Sequence, residues 1–367
     1  MKQSDIDHWC SDPRRARFAL AHVCDPADAV VDSHCARQGA QSALAHLLSG
    51  AIPNRDREVY ALRWQRCELE YEHQRAEELG VRWLVSGDPE WPEGLDDVGV
   101  VAPHVLWVHG NGHLARACAL SLAMVGARAC THYGADVARA WAAELASSGV
   151  SIVSGGAFGI DAAAHRGALS MGTSVLVTAG GIDSPYPRAH EGLFHQVLER
   201  GCVVSESPLG ASVRRARFLT RNRVIAVITR ATLVVEAAHR SGALSTARHA
   251  AELGRPVLAV PGPVTSALSH GCHSLVIERR AELVTGVRDV LSFLISSHDS
   301  LPTPSRAQLS PWQLTLLDSL PGSGGASVDD LVAASGLSRP QVERTIRELS
   351  AMARVLGGET TWSRRTG

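Results

Sequence analysis

From Ala119 onward the chain alternates short β-branched runs with longer amphipathic stretches, and no other feature restricts its fold as much. Strands covered on both faces read as continuous apolar runs, and joining two of them in parallel requires a helical crossover. The pattern predicts strands over Leu120–Val125, Val150–Ser154, Ser174–Thr178, Cys202–Ser205, Leu233–Glu236 and Val257–Val260. It predicts helices over Gly134–Ser147, Ala162–Met171, His190–Arg200, Asn222–Thr229 and Ala243–Leu253, with Gly149, Gly172, Gly201 and Gly254 placed to end four of them. A last strand and helix are expected within Glu282–Ile295. Strand and helix alternating in this way imply a Rossmann-like, mostly parallel doubly wound α/β sheet.

A chain of 367 residues exceeds one ordinary domain. Residues 1–80 lack strand-like runs and carry apolar positions at helical spacing, as in Phe18, Leu20 and Val23, so a small helical domain is expected there. Two short apolar pieces, Val81–Val85 and Val105–Val108, lead into the α/β domain, which is assigned residues 81–295. Residues 296–311 are polar and proline-punctuated and read as a linker. Residues 312–367 hold an apolar helix, a second starting at Ser327, a turn at Gly336 and a third with Val342, Ile346 and Leu349. With the tail as a two-stranded wing, this is a winged-helix-like unit.

The formal net charge is -1, so any polyanion site must be a local patch. Lys2 is the only lysine; positive charge otherwise rests on arginine, whose planar fork suits bidentate phosphate contacts. The eight cysteines are scattered without a C-x-x-C pair and read as reduced, buried residues. His270, Cys272 and His273 have no second ligand pair at zinc spacing, so no metal is expected. No apolar segment is long enough to cross a membrane, and a cytoplasmic location is expected.

Ligands of a doubly wound sheet sit beyond the carboxyl ends of its strands. Gly126 permits close backbone approach there, with Arg128 beside it. Ser154, Gly155, Gly156, Phe158, Gly159 and Asp161 belong to SGGAFGID, where glycines meet a helix start. Arg217, Phe218, Arg221, Asn222 and Arg223 belong to RRARFLTRNR, a basic run with an aromatic residue and no compensating acid. Glu236 ends a strand and is expected to accept hydrogen bonds from arginine or loop N–H groups. Ser241, Gly242, Ser245 and Thr246 open a helix suited to phosphate, and Pro261 and Gly262 complete the edge. The dinucleotide fingerprint is misplaced, because the glycine cluster follows the second strand rather than the first. No cofactor is expected. Together these loops suggest a groove with several separate phosphate positions, with Phe158, Tyr186 and Phe218 available to stack bases.

The loops resemble the DNA-processing protein A (DprA, or Smf) family in ordered motifs. These are GAR at Gly126–Arg128, SGGAFGID with Ala164 and His165, Tyr186–Pro187, Ser205–Glu206, RNRVIA at Arg221–Ala226, VVEA, SGALSTA and VPG. The match runs from about Trp83 to Gly286. It implies a non-enzymatic protein that binds single-stranded DNA, forms a homodimer, and loads the RecA recombinase in DNA uptake and recombination. Phe158 stands where relatives usually carry Lys or Arg, and Ala127 replaces a small hydroxyl residue. His190 and His273 replace usual asparagines, and Arg280 a usual glycine. The resemblance also implies a sterile-alpha-motif-like fold for the N-terminal helices. Two other readings compete. One is a nucleotide phosphoribohydrolase of the Lonely Guy type with Glu236 as catalyst, although the P-G-G and G-T-x-x-E spacing is missing. The other is a transcription regulator acting through the C-terminal unit.

Overall fold

The computed structural model describes residues 3–95, 102–299, 311–321, 325–351, 355–357 and 361–364. The chain divides into two compact units, Met1–Ile295 and Ser296–Gly367. The first opens with helices α1 (Gln3–Cys10), α2 (Pro13–Val23), α3 (Ala29–Ser49), α4 (Arg57–Arg66) and α5 (Leu69–Glu78). Asp12 and Asp28 cap α2 and α3, each accepting from two N–H groups of the first turn. Two strands follow, β1 (Arg82–Leu84) and β2 (Leu106–His109), and then α6 (Leu114–Ala119).

The α/β succession consists of β3 (Ser121–Val125), α7 (His132–Ser147), β4 (Ser151–Ser154), α8 (Ile160–Met171), β5 (Ser174–Val177), α9 (Glu191–Arg200) and β6 (Cys202–Ser205). It continues through α10 (Arg215–Val227), β7 (Ala231–Val234), α11 (Ala243–Glu252), β8 (Val257–Ala259), α12 (His270–Ile277), β9 (Glu282–Leu283) and α13 (Val287–Asp299). Among the described residues the sheet has nine strands in the order β1-β2-β6-β5-β4-β3-β7-β8-β9. From β6 to β9 every pairing is parallel, and β2 runs antiparallel to both neighbours. Side chains alternate between the two faces of β3: Leu122 and Met124 join the core under α7, α8 and α13, whereas Ala123 and Val125 join the core under α10 and α11. The predicted doubly wound sheet is therefore present. The chain moves outward from β3 to β6 and then returns to place β7 on the other side of β3, which makes the β3–β7 junction the topological switch point.

Three details differ from the sequence expectation. The strand expected over Leu233–Glu236 is β7, two residues earlier, which leaves Glu236 in the loop beyond it. The helix expected from Asn222 starts at Arg215, because the arginine run is itself helical and its second half, Arg221–Val227, is wholly buried. Helix α12 occupies a stretch read as loop; its short apolar set, Cys272 and Leu275, falls below one clear helical period.

The N-terminal helices share a core with one face of the α/β sheet. Phe18, fully buried, stacks on Trp9 at 5.7 Å and lies 6.3 Å from Trp107 of β2. In the second unit, α14 (Pro311–Ser319), α15 (Val328–Ser335) and α16 (Arg339–Ala351) pack around Leu316, Leu331, Val342, Ile346 and Leu349. Ser327 and Asp330 form a reciprocal capping box, and Gly336 ends α15 in the left-handed region. The strands β10 (Val355–Gly357) and β11 (Trp362–Arg364) pair as the expected wing. Most of the predicted linker lies outside the described residues.

A buried ion pair links α3 to the segment before β2: His104 lies 3.1 Å from Asp32. Burial disfavours the charged imidazole, but the Asp32 carboxylate and Cys35 outweigh it and raise the His104 pKa to about 9. Burial instead lowers His22 to about 4 and His165 to about 3. Below pH ~6.5 the unfolded chain takes up protons that folded His22 and His165 exclude, so stability falls with acid. Above pH ~6.5 the folded chain keeps the His104 proton that the unfolded chain has lost, so stability falls again up to about pH 9. Urea midpoints should therefore be highest near pH ~6.5, and His104→Gln should flatten the alkaline limb. An unchanged alkaline limb in that variant would show that the pair does not control it.

Candidate functional site

The switch point is built from glycines packed against protein. A Cβ on Gly126 would lie 2.5 Å from Ile160 Cγ1 and 2.9 Å from the Glu236 carbonyl. Ala127 N–H donates to that carbonyl at 2.7 Å, while Ala127 C=O accepts from Ile160 N–H at 3.2 Å, so the β3, β4 and β7 loops are tied together. The Glu236 side chain is 3% exposed. Its Oε2 accepts from Thr131 N–H at 2.9 Å and its Oε1 from Thr131 Oγ1 at 2.6 Å, at the N-terminus of α7. A carboxylate there offsets the positive end of the helix dipole. A Cβ on Gly134 would come within 2.4 Å of Glu236 Oε2, so this glycine makes room for the carboxylate.

The SGGAFGID loop is organised by Arg221. This residue of α10 is 7% exposed. Its Nη1 donates to Gly155 C=O at 2.9 Å and also to Val177 C=O, which joins the ends of β4 and β5. Burial lowers the Arg221 pKa to about 10 against the attraction of Asp161. Asp161 in turn accepts from the N–H groups of Gly155 at 3.2 Å and Ala157 at 3.3 Å. Burial pushes its pKa up, opposed by the Arg221 charge and these amides. A Cβ on Gly155 would meet the Arg221 guanidinium at 2.5–2.7 Å. Gly159, at φ +77°, would put a Cβ 2.2 Å from the Ala127 carbonyl. Gly156 faces Leu176, and Ser154 Oγ donates to Met124 C=O at 2.6 Å. The loop glycines are thus required by neighbouring protein atoms.

An open cleft of about 830 Å³ lies over these loops. Arg128, Asp161, Arg221, Ser241, Gly242, Ser245 and Thr246 line it, with Gly126, Phe218 and Asn222, so the structure brings these sequence-selected residues together. Tyr186 also lines it; its ring lies 5.7 Å from Phe218, and Arg128 lies over the other ring at 5.0 Å. Asn222 Nδ2 donates to Gly242 C=O at 3.2 Å and holds α10 beside the start of α11. Two lining arginines, Arg215 and Arg240, were not singled out from the sequence. Arg215 stands within RRARFLTRNR and Arg240 directly before SGALSTA, and adjacency to the chosen residues was the available signal. Arg128, Arg215 and Arg240 are exposed and have no carboxylate partner among the described residues.

Other selected residues point elsewhere. Arg217 donates to Ser212 C=O at 3.1 Å and lies 3.8 Å from Asp25 of the N-terminal helical segment. Arg223 is 6% exposed and pairs with Glu206. Neither lines the cleft: one helix cannot aim every member of an arginine run at the same surface. Phe158, 48% exposed, packs edge-on against His190 at 4.6 Å outside the cleft lining. Pro261 C=O accepts from Tyr133 Oη at 2.8 Å, Gly262 C=O lies 3.1 Å from His273 Nε2, and neither residue lines the cleft. Among the described residues no His, Cys, Asp and Glu cluster is arranged to hold a metal ion.

The two kinds of glycine predict opposite responses to a methyl group. Gly155→Ala should cost roughly 1–3 kcal/mol by displacing Arg221. Gly242, whose Cβ would meet nothing within 4 Å, should accept Ala within about 0.5 kcal/mol. Denaturant titration of both variants decides the point, and equal stabilities would refute the packing argument.

Residues 82–295 match the family model for DNA recombination-mediator protein A. A DNA processing protein DprA of Mycobacterium tuberculosis is 43% identical over 279 residues, covering 72% of each chain. Protein Smf of Escherichia coli is 38% identical over 268 residues, covering 70% of this chain and 71% of that one. Among solved structures, DprA from Streptococcus pneumoniae superposes with a TM-score of 0.65 at 31% identity, over 77% of this chain and 97% of that one. The Helicobacter pylori DprA, a structure describing that protein's single-stranded DNA binding mode, shares the fold with a TM-score of 0.53 at 24% identity, over 59% and 96%. Motif order, sheet topology and similarity over most of its length place this chain in the DNA recombination-mediator protein A (DprA/Smf) family.

Proposed function

We propose that the chain binds single-stranded DNA in the cleft at the β3–β7 switch point and serves as a mediator of DNA recombination. The observation that carries this reading is the placement of exposed Arg128, Arg215 and Arg240 around the Tyr186–Phe218 pair. Arginines hold a phosphate backbone whatever its sequence, whereas aromatic faces can stack only bases released from pairing, at ~1–3 kcal/mol per base. The reported binding mode of the Helicobacter pylori relative supports the same class of ligand. Loading of RecA and assembly as a homodimer belong to the proposal through family membership. The buried Glu236, with both oxygens bonded to Thr131, supports its role as an acceptor over that of a hydrolytic catalyst.

Arg128→Ala and Arg240→Ala should each weaken binding of an oligo-dT about tenfold, and each should reduce the slope of log affinity against log salt by about 0.7. Arg223→Ala should instead lower thermal stability, because it leaves Glu206 buried without its partner. Fluorescence anisotropy at several salt concentrations measures the first two effects. Unchanged affinity in both cleft variants would place the DNA elsewhere.

A further inference from the structure

The loops after β5 and β6 meet at Asp183, whose two carboxylate oxygens accept from Gly210 N–H at 2.8 and 3.0 Å. Beside it Gly181 N–H donates to Ala211 C=O at 2.9 Å and Ser205 Oγ to Gly180 C=O at 2.7 Å. A further partner of the carboxylate comes from the helical segment. Arg75 of α5 donates from Nη2 to Asp183 Oδ2 at 2.6 Å and lies 3.8 Å from Glu72. The side chains are 31% and 11% exposed, so solvent screens the Arg75–Asp183 pair less than a surface pair. Ile182 and Leu209, one from each loop, are buried in the core that the N-terminal helices share with the sheet.

Neither Arg75 nor Asp183 lines the cleft, yet both loops lead into it. Three residues beyond Asp183 stands Tyr186, half exposed, with its ring 5.7 Å from Phe218. The β6 loop runs on through Val213 to Arg215, which also line the cleft. An exposed ring on a loop stacks a base best when the loop is already ordered, since ordering it on binding lowers affinity. We propose, resting on the single-stranded DNA reading, that Arg75 and Asp183 are positioning residues, a clasp through which the helical segment fixes the loop that sets Tyr186 against Phe218. Charge alone predicts the opposite sign. Asp183 is an acid near a polyanion site, so a purely electrostatic role would make its removal strengthen binding. Loss of the clasp weakens binding.

The test measures oligo-dT binding to the full chain by anisotropy for Arg75→Ala, Asp183→Ala and Arg75→Lys. Each alanine variant should bind about tenfold more weakly, with the slope of log affinity against log salt unchanged, because no phosphate contact is lost. Arg75→Lys keeps a charged donor and should recover most of the affinity. In a Tyr186→Ala background Asp183→Ala should cost less than about twofold, whereas beside Arg240→Ala its cost should persist in full. Unchanged or tighter binding by both alanine variants, or an equal cost with and without Tyr186, would overturn the proposal while strand binding stands. Deuterium exchange separates the clasp from the DNA reading: both alanine variants should exchange faster at Gly210 and across residues 179–186 than the wild type. Should the wild type not bind oligo-dT, the DNA reading fails, and the clasp stands or falls on that exchange. If Arg75→Ala misfolds, Asp183→Ala and its Tyr186→Ala combination decide.

Discussion

Arg221 reaches into the interior and joins the carbonyls of Gly155 and Val177, and the cleft takes its shape from that junction. Removing a guanidinium from water is costly unless its donors find acceptors and its charge finds a partner. Here two main-chain oxygens accept from Nη1 and the charge of nearby Asp161 partly offsets the burial, so the ends of β4 and β5 and helix α10 are held in one arrangement. Gly155 follows from the same contact, because the guanidinium occupies the place of its side chain. A buried charge thus organises a surface lined by exposed arginines.

Helix α10 divides its side chains among three environments. Arg215, Phe218 and Arg221 face the cleft, Arg217 approaches Asp25 of the helical segment, and Arg223 reaches Glu206. The N-terminal helices are in turn packed onto the sheet through Phe18 and Trp107, with the Asp32–His104 pair beside them. A shift of α10 would disturb the helical segment and the cleft together, because one rigid element carries contacts to both.

The chain is almost neutral, yet three exposed arginines without carboxylate partners among the described residues surround one opening. Field strength at a site depends on local charge and on the low-dielectric walls around it, so net charge has little bearing on whether a polyanion is held. In the proposed reading, exposed cations draw a strand in, and their attraction is weakened by salt. The aromatic pair acts at shorter range and is largely insensitive to salt.

The sequence by itself determined the doubly wound sheet, since short runs such as Cys202–Ser205 and Val257–Val260, alternating with amphipathic stretches, fit strands covered on both faces. It also determined the motif order that identifies the family, and the region of the cleft, because strand-end loops stay at strand ends in any such sheet. What only the tertiary structure decided was direction. Arg217, Arg221 and Arg223 look equivalent in a basic run, but the rotation of α10 sends one to the helical segment, one to the cleft floor and one to Glu206. The glycines of SGGAFGID read as openings for a ligand, yet Arg221, Leu176 and the Ala127 carbonyl fill the space beside them. Side-chain direction and close backbone approach depend on contacts between residues far apart in the chain, and local periodicity carries no record of those contacts.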